Sequence, residues 1–337
     1  MTNGRQKTLT AACLIVSPFI VFILSLFIGK FHASPGDVVT VLASKVMPSL
    51  GRDLPETLNT AVFNVRLPRI ALAFLVGASL SISGASYQGL FRNPLVSSHI
   101  LGVASGASFG AALGIILGLP AVIVQLLAFI FGMMAVGIAV AVSRFYRSSA
   151  ALTLVLVGFI TGSFFSSLVS FVTYTADPNQ KLPAIVFWLM GSLASSSAGT
   201  LIFAVIPMAV GIGVLILIRW RINILSLGDE DAKAMGLDPA RWRVTVVLCC
   251  TLITSASVCV SGVIGWIGLV IPHFARMIVG PNHKALLPAC ISIGGVYLML
   301  IDNLARTITS AEVPLGILTG IIGAPIFVYL LTKGARW

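Results

Sequence analysis

The sequence predicts an all-α fold, a polytopic bundle of transmembrane helices forming a single domain over residues 1–337, and three observations predict it. Of the 337 residues, 58% are hydrophobic and 9% charged, against roughly 25% charged in a soluble globular domain. Mean hydropathy is +1.05, so lipid is the natural solvent for this chain. Apolar stretches of about 20 residues, the length that crosses a hydrocarbon core as helix, recur between punctuating Gly, Pro and charged residues.

The first stretch, Leu9 to Gly29, follows Arg5 and Lys7 and imitates a secretory signal. Its apolar run is about twice the usual length of such a signal, and no small-x-small cleavage site follows, so it reads as an uncleaved first span. Further spans are expected near residues 69–88, 100–117, 120–142, 151–173, 199–218, 244–261, 263–279, 286–302 and 313–332, ten in all. The tightest place is Val244 to Ala275, where 32 residues must go out and back. Two full crossings need about 40. One helix here is therefore expected to be short or broken, with Gly262, Gly265 and Gly268 permitting the reversal.

Orientation follows from Lys and Arg, which collect on the cytoplasmic side. With both termini inside, fourteen of the 21 basic residues fall in inner segments and seven in outer ones, the latter including Arg66, Arg69, Lys181 and Arg306. Four acids lie inside and six outside, which leaves the inner face at +10 and the outer at +1 of the net +11. The basic balance is thus a matter of membrane orientation and calls for no nucleic-acid partner.

Several classes of function lose support. Gradient-driven transporters keep ionisable groups at depth, whereas charged residues and His fall at or near the ends of every span drawn here. The only Gly-Lys pair, Gly29-Lys30, is followed by Phe31, so the chain has no phosphate-binding G-x-x-x-x-G-K-[ST] loop. If ATP drives the process, a separate subunit binds it. The four histidines, His32, His99, His273 and His283, are scattered, and the five cysteines form no C-x-x-C pair. Neither a metal site, a catalytic constellation nor a disulfide framework is indicated.

Two local patterns stand out. Gly102, Gly106, Gly110, Gly114 and Gly118 recur every four residues through the third span, a stripe that suits close helix packing rather than a substrate groove. On the inner face, Ser226 to Arg243 is the longest polar stretch. Asp229, Glu230 and Asp231 suit the first turn of a short helix, Gly236 its left-handed stop, and Asp238-Pro239 the cap and first residue of another. The expected pair of short helices reads either as a connector or as a docking element for a partner.

With its neighbours, that stretch resembles the ATPase-contacting loop of permeases of the iron–siderophore, haem and vitamin B12 uptake family. Other segments are similar in the same order: R-L-P-R at Arg66 to Arg69, S-G-A-S-Y-Q-G-L-F-R-N-P-L at Ser83 to Leu95, L-G-V-A-S-G-A at Leu101 to Ala107, and L-P-A-I-V-F-W-L-M-G-S at Leu182 to Ser192. They continue with G-W-I-G-L-V-I-P-H-F-A-R at Gly265 to Arg276, D-N-L-A-R at Asp302 to Arg306, and E-V-P-L-G-I-L-T-G-I-I-G-A-P-I-F at Glu312 to Phe327.

The resemblance implies a permease in the cytoplasmic (inner) membrane of a bacterium or archaeon. Its expected partners are a second copy of itself, two cytoplasmic ATP-binding subunits that hold ATP and Mg, an extracytoplasmic binding protein, and membrane lipid. This chain itself is expected to be no enzyme and to hold no cofactor. By motif position Arg66, Arg69 and Arg306 are expected to meet acidic residues of the binding protein, a task suited to the planar guanidinium. Pairing with Asp302 or Glu312 is the rival reading, for Arg306 above all. Asn93, Pro94 and Leu95, with Ser148 and Ser149, are expected to form a cytoplasmic gate, Pro94 halting the second span. Leu227, Gly228, Asp229, Glu230, Asp231, Ala232, Ala234, Met235, Gly236 and Leu237 are expected to couple to the ATPase. Ferric siderophore is the favoured cargo because it is the commonest in the family; haem, cobalamin and molybdate or tungstate are alternatives.

Overall fold

The structure is a computed structural model and describes residues 4–30, 34–45, 55–143, 145 and 150–333. Every regular element among the described residues is helical. In chain order these are α1 (Gly4–Phe27), α2 (Pro35–Ser44), α3 (Glu56–Asn59), a π-helical stretch (Thr60–Arg66), α4 (Leu67–Leu90), α5 (Val103–Ile116), α6 (Ala121–Ser143) and α7 (Ala150–Thr175). The second half comprises α8 (Lys181–Met190), α9 (Ala198–Leu225), α10 (Asp229–Ala234), α11 (Pro239–Ser261), α12 (Ile267–Val279), α13 (His283–Thr307) and α14 (Leu315–Lys333).

Each expected span coincides with a helix, but among the described residues seven helices rather than ten have both the length and the apolarity to cross a membrane. The remaining three expected spans fall on the shorter apolar helices Val103–Ile116, Ile267–Val279 and Leu315–Leu330. At 1.5 Å per residue, the 13 residues of α12 reach only about 20 Å. The crowding between Val244 and Ala275 explains this shortness, because α11 already takes the chain to Ser261. The reversal uses Gly262 and Trp266, both with positive φ (66° and 69°). Gly268 does not serve it. That residue lies inside α12, where a Cβ would press on Ser98.

The segment Glu56–Leu90 is the spine. Its apolar window is 83% buried, against 28% for α6, α7 and α9. Small residues on every side make this possible, since lipid-soluble helices associate through close packing rather than through exclusion of water. A Cβ added at Gly77 would run into the carbonyl of Gly294 on α13, and one at Gly84 into that of Gly268 on α12. Toward α11 the contact is polar, Thr254 Oγ1 donating to Ser83 Oγ at 3.1 Å. The π-helical stretch ends at Arg66, two residues before Pro68, whose missing N–H removes an α-type bond to Asn64. Leu67 N–H bonds instead to the Val62 carbonyl. The motif Arg66 to Arg69, expected in an outer segment, therefore lies within a continuous helix.

The glycine stripe divides by position. Gly106, Gly110 and Gly114 face α6, where added Cβ atoms would meet Phe131, Leu127 and Val124. Gly102 and Gly118 flank α5 in left-handed conformations (φ 82° and 69°), one serving as its N-cap and the other following its end. Around the spine, α7 and α14 present exposed apolar side chains, among them Phe159, Ile160, Phe164 and Ile321.

Replacing Gly84 with Ala is expected to lower the thermal unfolding midpoint in detergent, because backbone carbonyl cannot yield to the new methyl; overpacking costs about 1–3 kcal/mol. The same change at Gly137, which has nothing within 4 Å of the added atom, is expected to leave the midpoint unchanged or raised. Equal midpoints for the two variants would remove the spine contact from the account.

Candidate functional site

Two groups of side chains, at opposite ends of α4, carry the chemistry. At its first turn, Arg66, Arg69, Asp302 and Arg306 are all 5% exposed or less. Arg69 donates from Nε to Asp302 Oδ1 and Oδ2 at 2.9 and 3.1 Å, and from Nη2 to Oδ1 at 2.9 Å. Its far edge faces Glu312, with Nη1 to Oε1 at 3.1 Å and Nη2 to Oε2 at 2.9 Å. Arg306 Nε stands 3.2 Å from Asp302 Oδ2. Arg306 also donates to the Ile28 carbonyl at 3.0 Å and to Asn303 Oδ1, and Arg66 donates to the Leu26 carbonyl at 2.7 Å. The C-terminal end of α1 thus receives two guanidinium groups, which satisfies carbonyls that helix geometry leaves open and matches the negative end of its dipole.

All three arginines expected at a docking surface are brought together here, and in this conformation they are committed internally. The rival pairing with Asp302 and Glu312 is the one formed, and it is made most fully by Arg69. Asp302 is 1% exposed and α13 runs past it to Thr307, so charge reaches further into the helices than expected, although only near one end. Glu312 lies in the connection before α14. Burial pushes its carboxyl up, but the Arg69 hydrogen bond and charge, with Lys30 and Arg306, hold it below the ordinary value.

The other end of α4 carries the expected gate turn. Pro94 does not halt this helix. Arg92 does, adopting φ 52°, with Arg92 N–H on Gly89 O and Asn93 N–H on Gln88 O at 3.3 and 3.2 Å. This is a Schellman stop made without glycine. Asn93 Oδ1 then accepts from Leu95 N–H at 2.9 Å, which leaves Leu95 57% exposed beside Pro94. Ser148 and Ser149 lie outside the described residues.

Beside this turn stands α10. Asp229, Glu230 and Asp231 occupy its first turn, Gly236 follows at φ 78°, and Gly236 N–H to Lys233 O with Leu237 N–H to Ala232 O, each 2.9 Å, complete a second Schellman stop. Asp238 caps the next helix as expected, accepting from Ala240 and Arg241 N–H. That helix is not a short partner of α10. It is α11 itself, running 23 residues. Ala232 is buried, while Leu227 and Met235 are exposed apolar side chains and Ala234 is exposed with them. Gly228 precedes α10 with its Cα against the Arg92 guanidinium, which an added Cβ would meet at 3.1 Å.

Polar side chains beyond the expected gate and coupling residues help to hold this end together. Arg243 Nη2 donates to Asp229 Oδ1 at 2.6 Å, fastening α10 to α11, and Arg221 stacks 4.0 Å over the Trp242 ring. Asn223 Nδ2 donates to Asn282 at 2.8 Å, and its Oδ1 accepts from His283 N–H. Arg276 bonds Gln88, which in turn donates to the Val96 and Gly268 carbonyls. Gln88 and Arg276 fall within the family-like strings Ser83 to Leu95 and Gly265 to Arg276; for Arg221, Asn223 and Arg243 the sequence offers only a polar side chain beside a span end. Helix α8, within the string Leu182 to Ser192, is not among the expected spans, because ten residues are too few to cross. Its side borders a cleft of about 640 Å³ with Gln125, Lys181, Trp188 and Ser261 in its wall. Among the described residues no three His, Cys, Asp or Glu side chains converge to hold a metal ion.

Comparison with known proteins gives a consistent result. The model of the FecCD transport family matches residues 16–333. The chain is 40% identical over 318 residues to the molybdate import system permease protein MolB of Haemophilus influenzae, covering 94% of each. It is 42% identical over 281 residues to the "Probable iron chelatin transport system permease protein" of Helicobacter pylori, covering 82% of this chain and 84% of that one. A solved structure described as "An inward-facing conformation of a putative metal-chelate type ABC transporter" superposes with a TM-score of 0.87 at 38% identity, over 97% of this chain and 99% of the other.

Removing the shared carboxylate with Asp302→Ala is expected to cost about 3–5 kcal/mol, the loss typical when one partner of a buried pair is deleted. Replacing the pair together, Arg69→Met with Asp302→Leu, is expected to cost less than the single change. Chemical unfolding in detergent reads both, and a double variant at least as destabilised as the single one would contradict the pairing.

Proposed function

The chain belongs to the FecCD transport family, and from that premise we propose that it is the membrane-spanning permease of a binding-protein-dependent ABC importer that brings a metal chelate into the cell. The observation that carries the reading is the division of labour along α4: a cationic cluster at one end, and at the other a turn lying against a capped, latched helix with exposed Leu227 and Met235. An importer driven from outside its own chain needs these two surfaces, one to receive cargo and one to receive force.

On this reading the chain crosses the cytoplasmic membrane of a bacterium or archaeon ten times, the short helices completing the count, with both termini in the cytoplasm. Two copies pair, each meeting one ATP-binding subunit that holds ATP and Mg, and a binding protein docks outside. Leu227 to Leu237 supply the ATPase contact, Ala232 packing inward while Met235 projects. Asn93, Pro94 and Leu95, with Ser148 and Ser149, form the cytoplasmic gate. Arg66, Arg69 and Arg306 supply the docking charge, and their burial makes the cluster a prearranged field rather than three free side chains.

The cargo favoured here is a ferric siderophore, in keeping with the iron chelatin relative. Molybdate is the second reading, favoured by a molybdate permease that aligns over 94% of both chains; haem and cobalamin are further classes. On this reading the choice among these cargoes lies with the binding protein rather than with the permease.

Titrating that binding protein with ferric siderophores, haem, cobalamin and molybdate is expected to give tight binding to a ferric chelate. Tight binding of molybdate alone overturns the siderophore reading while leaving the importer intact. For docking, Arg66→Lys and Arg69→Lys keep the charge but lose the fork. In reconstituted vesicles with the ATPase subunits, each is expected to reduce several-fold the stimulation of ATP hydrolysis by the binding protein. Wild-type stimulation would end the assigned role.

A further inference from the structure

A guanidinium group offers a carboxylate two edges, a side edge through Nε and Nη2 and an end edge through Nη1 and Nη2. Arg69 uses both. Asp302 takes the side edge with contacts of 2.9, 3.1 and 2.9 Å, and Glu312 faces the end edge with one hydrogen bond, Nη1 to Oε1 at 3.1 Å, and an ion-pair contact of Nη2 with Oε2 at 2.9 Å. The two acids differ in every other respect. Asp302 sits on α13, has a side chain 1% exposed and is shared with Arg306. Glu312 sits in the connection between α13 and α14, with a side chain 25% exposed.

Charge around them is unbalanced. Lys30, Arg66, Arg69 and Arg306 gather around two carboxylates, and Lys30 Nζ lies 3.9 Å from Glu312 Oε1 while donating to the Ser310 carbonyl. The cluster keeps a surplus of positive charge, so a further anion is attracted to it. Yet the outward edge of its central arginine is already filled by this chain's own carboxylate.

We propose that Glu312 is an exchangeable occupant of the end edge of Arg69, standing where an acidic side chain of the docking partner binds, so that docking replaces one carboxylate by another. Asp302 stays in place throughout and keeps Arg69 oriented. Glu312, once displaced, has Lys30 beside it. The inference rests on the reading that an acidic partner docks at this cluster, and it adds that the undocked permease competes with that partner for the same edge. Exchange of like for like leaves Arg69 neutralised at every stage, which avoids an unpaired buried guanidinium.

The test is the affinity of the binding protein for the permease, in complex with its ATPase subunits in nanodiscs, for wild type, Glu312→Gln, Glu312→Asp and Arg69→Lys, with unfolding temperatures measured alongside. Glu312→Gln removes the competing charge. Glu312→Asp keeps the charge but is one methylene too short to hold the edge. Exchange expects both Glu312 variants to dock several-fold more tightly than wild type. If only Glu312→Gln tightens, net charge accounts for the effect and the exchange is refuted. If both weaken, Glu312 positions Arg69 for the partner, and the proposal is equally overturned. Wild-type affinity in Arg69→Lys would remove the docking reading itself, a separate result from failure of the exchange alone.

Discussion

Close contact between α4 and the backbones of α12 and α13 is the constraint on which the remaining arrangement depends. In lipid no water-driven force brings apolar helices together, so association rests on packing and on polar contacts between helices. Gly84 against Gly268 and Gly77 against Gly294 let backbones meet where any side chain would hold them apart. The result is a helix with almost no lipid-facing side. Ser83 and Tyr87 can then project from it at depth, because Thr254 and Thr251 of α11 lie opposite.

Burying α4 also makes it possible to keep charge at its first turn. An isolated guanidinium taken out of water costs several kcal/mol, and only a close acceptor set offsets that. Here the set comes from three directions: Asp302 on α13, Glu312 on the following connection, and carbonyls at the end of α1. The arginines therefore fasten α1, α4 and α13 to one another. The same groups that give this end its field also close the bundle, so a substitution there changes stability and recognition together.

Much of this was legible before the structure. All ten expected spans fall on helices, because runs of apolar residues between breakers report helices in lipid directly. The caps of α10 and α11 were equally plain, since Asp238-Pro239 and Gly236 act locally and have few alternatives. What failed depended on neighbours distant in sequence. The partners of Arg69 lie more than 230 residues away, so R-L-P-R gives no sign that its arginines are buried in a turn of helix. The stop at Arg92 could not be read either, because Pro94 offered an obvious breaker and arginine has no preference for a left-handed conformation. Three of the expected spans are shorter than a full crossing for a simpler reason: apolarity marks which segments avoid water, whereas helix length is set by where packing lets the chain turn, as at Gly262 and Trp266.

The unusual stop at Arg92 bears on how force would travel. A non-glycine residue in the left-handed region costs roughly 1–2 kcal/mol, and its surroundings must hold it there. The Arg92 guanidinium lies against Gly228 at the start of α10, while α10 is tied through Asp229 to Arg243 on α11. The turn bearing Asn93, Pro94 and Leu95 and the helix that Met235 caps are thus parts of one packed unit, built on the end of the most deeply buried of the membrane-length helices among the described residues. On the proposed function, a displacement of α10 by an ATPase subunit would reach that turn through backbone and packed side chains. No proton or bound ion is required for such a step, in keeping with a permease whose power comes from another chain.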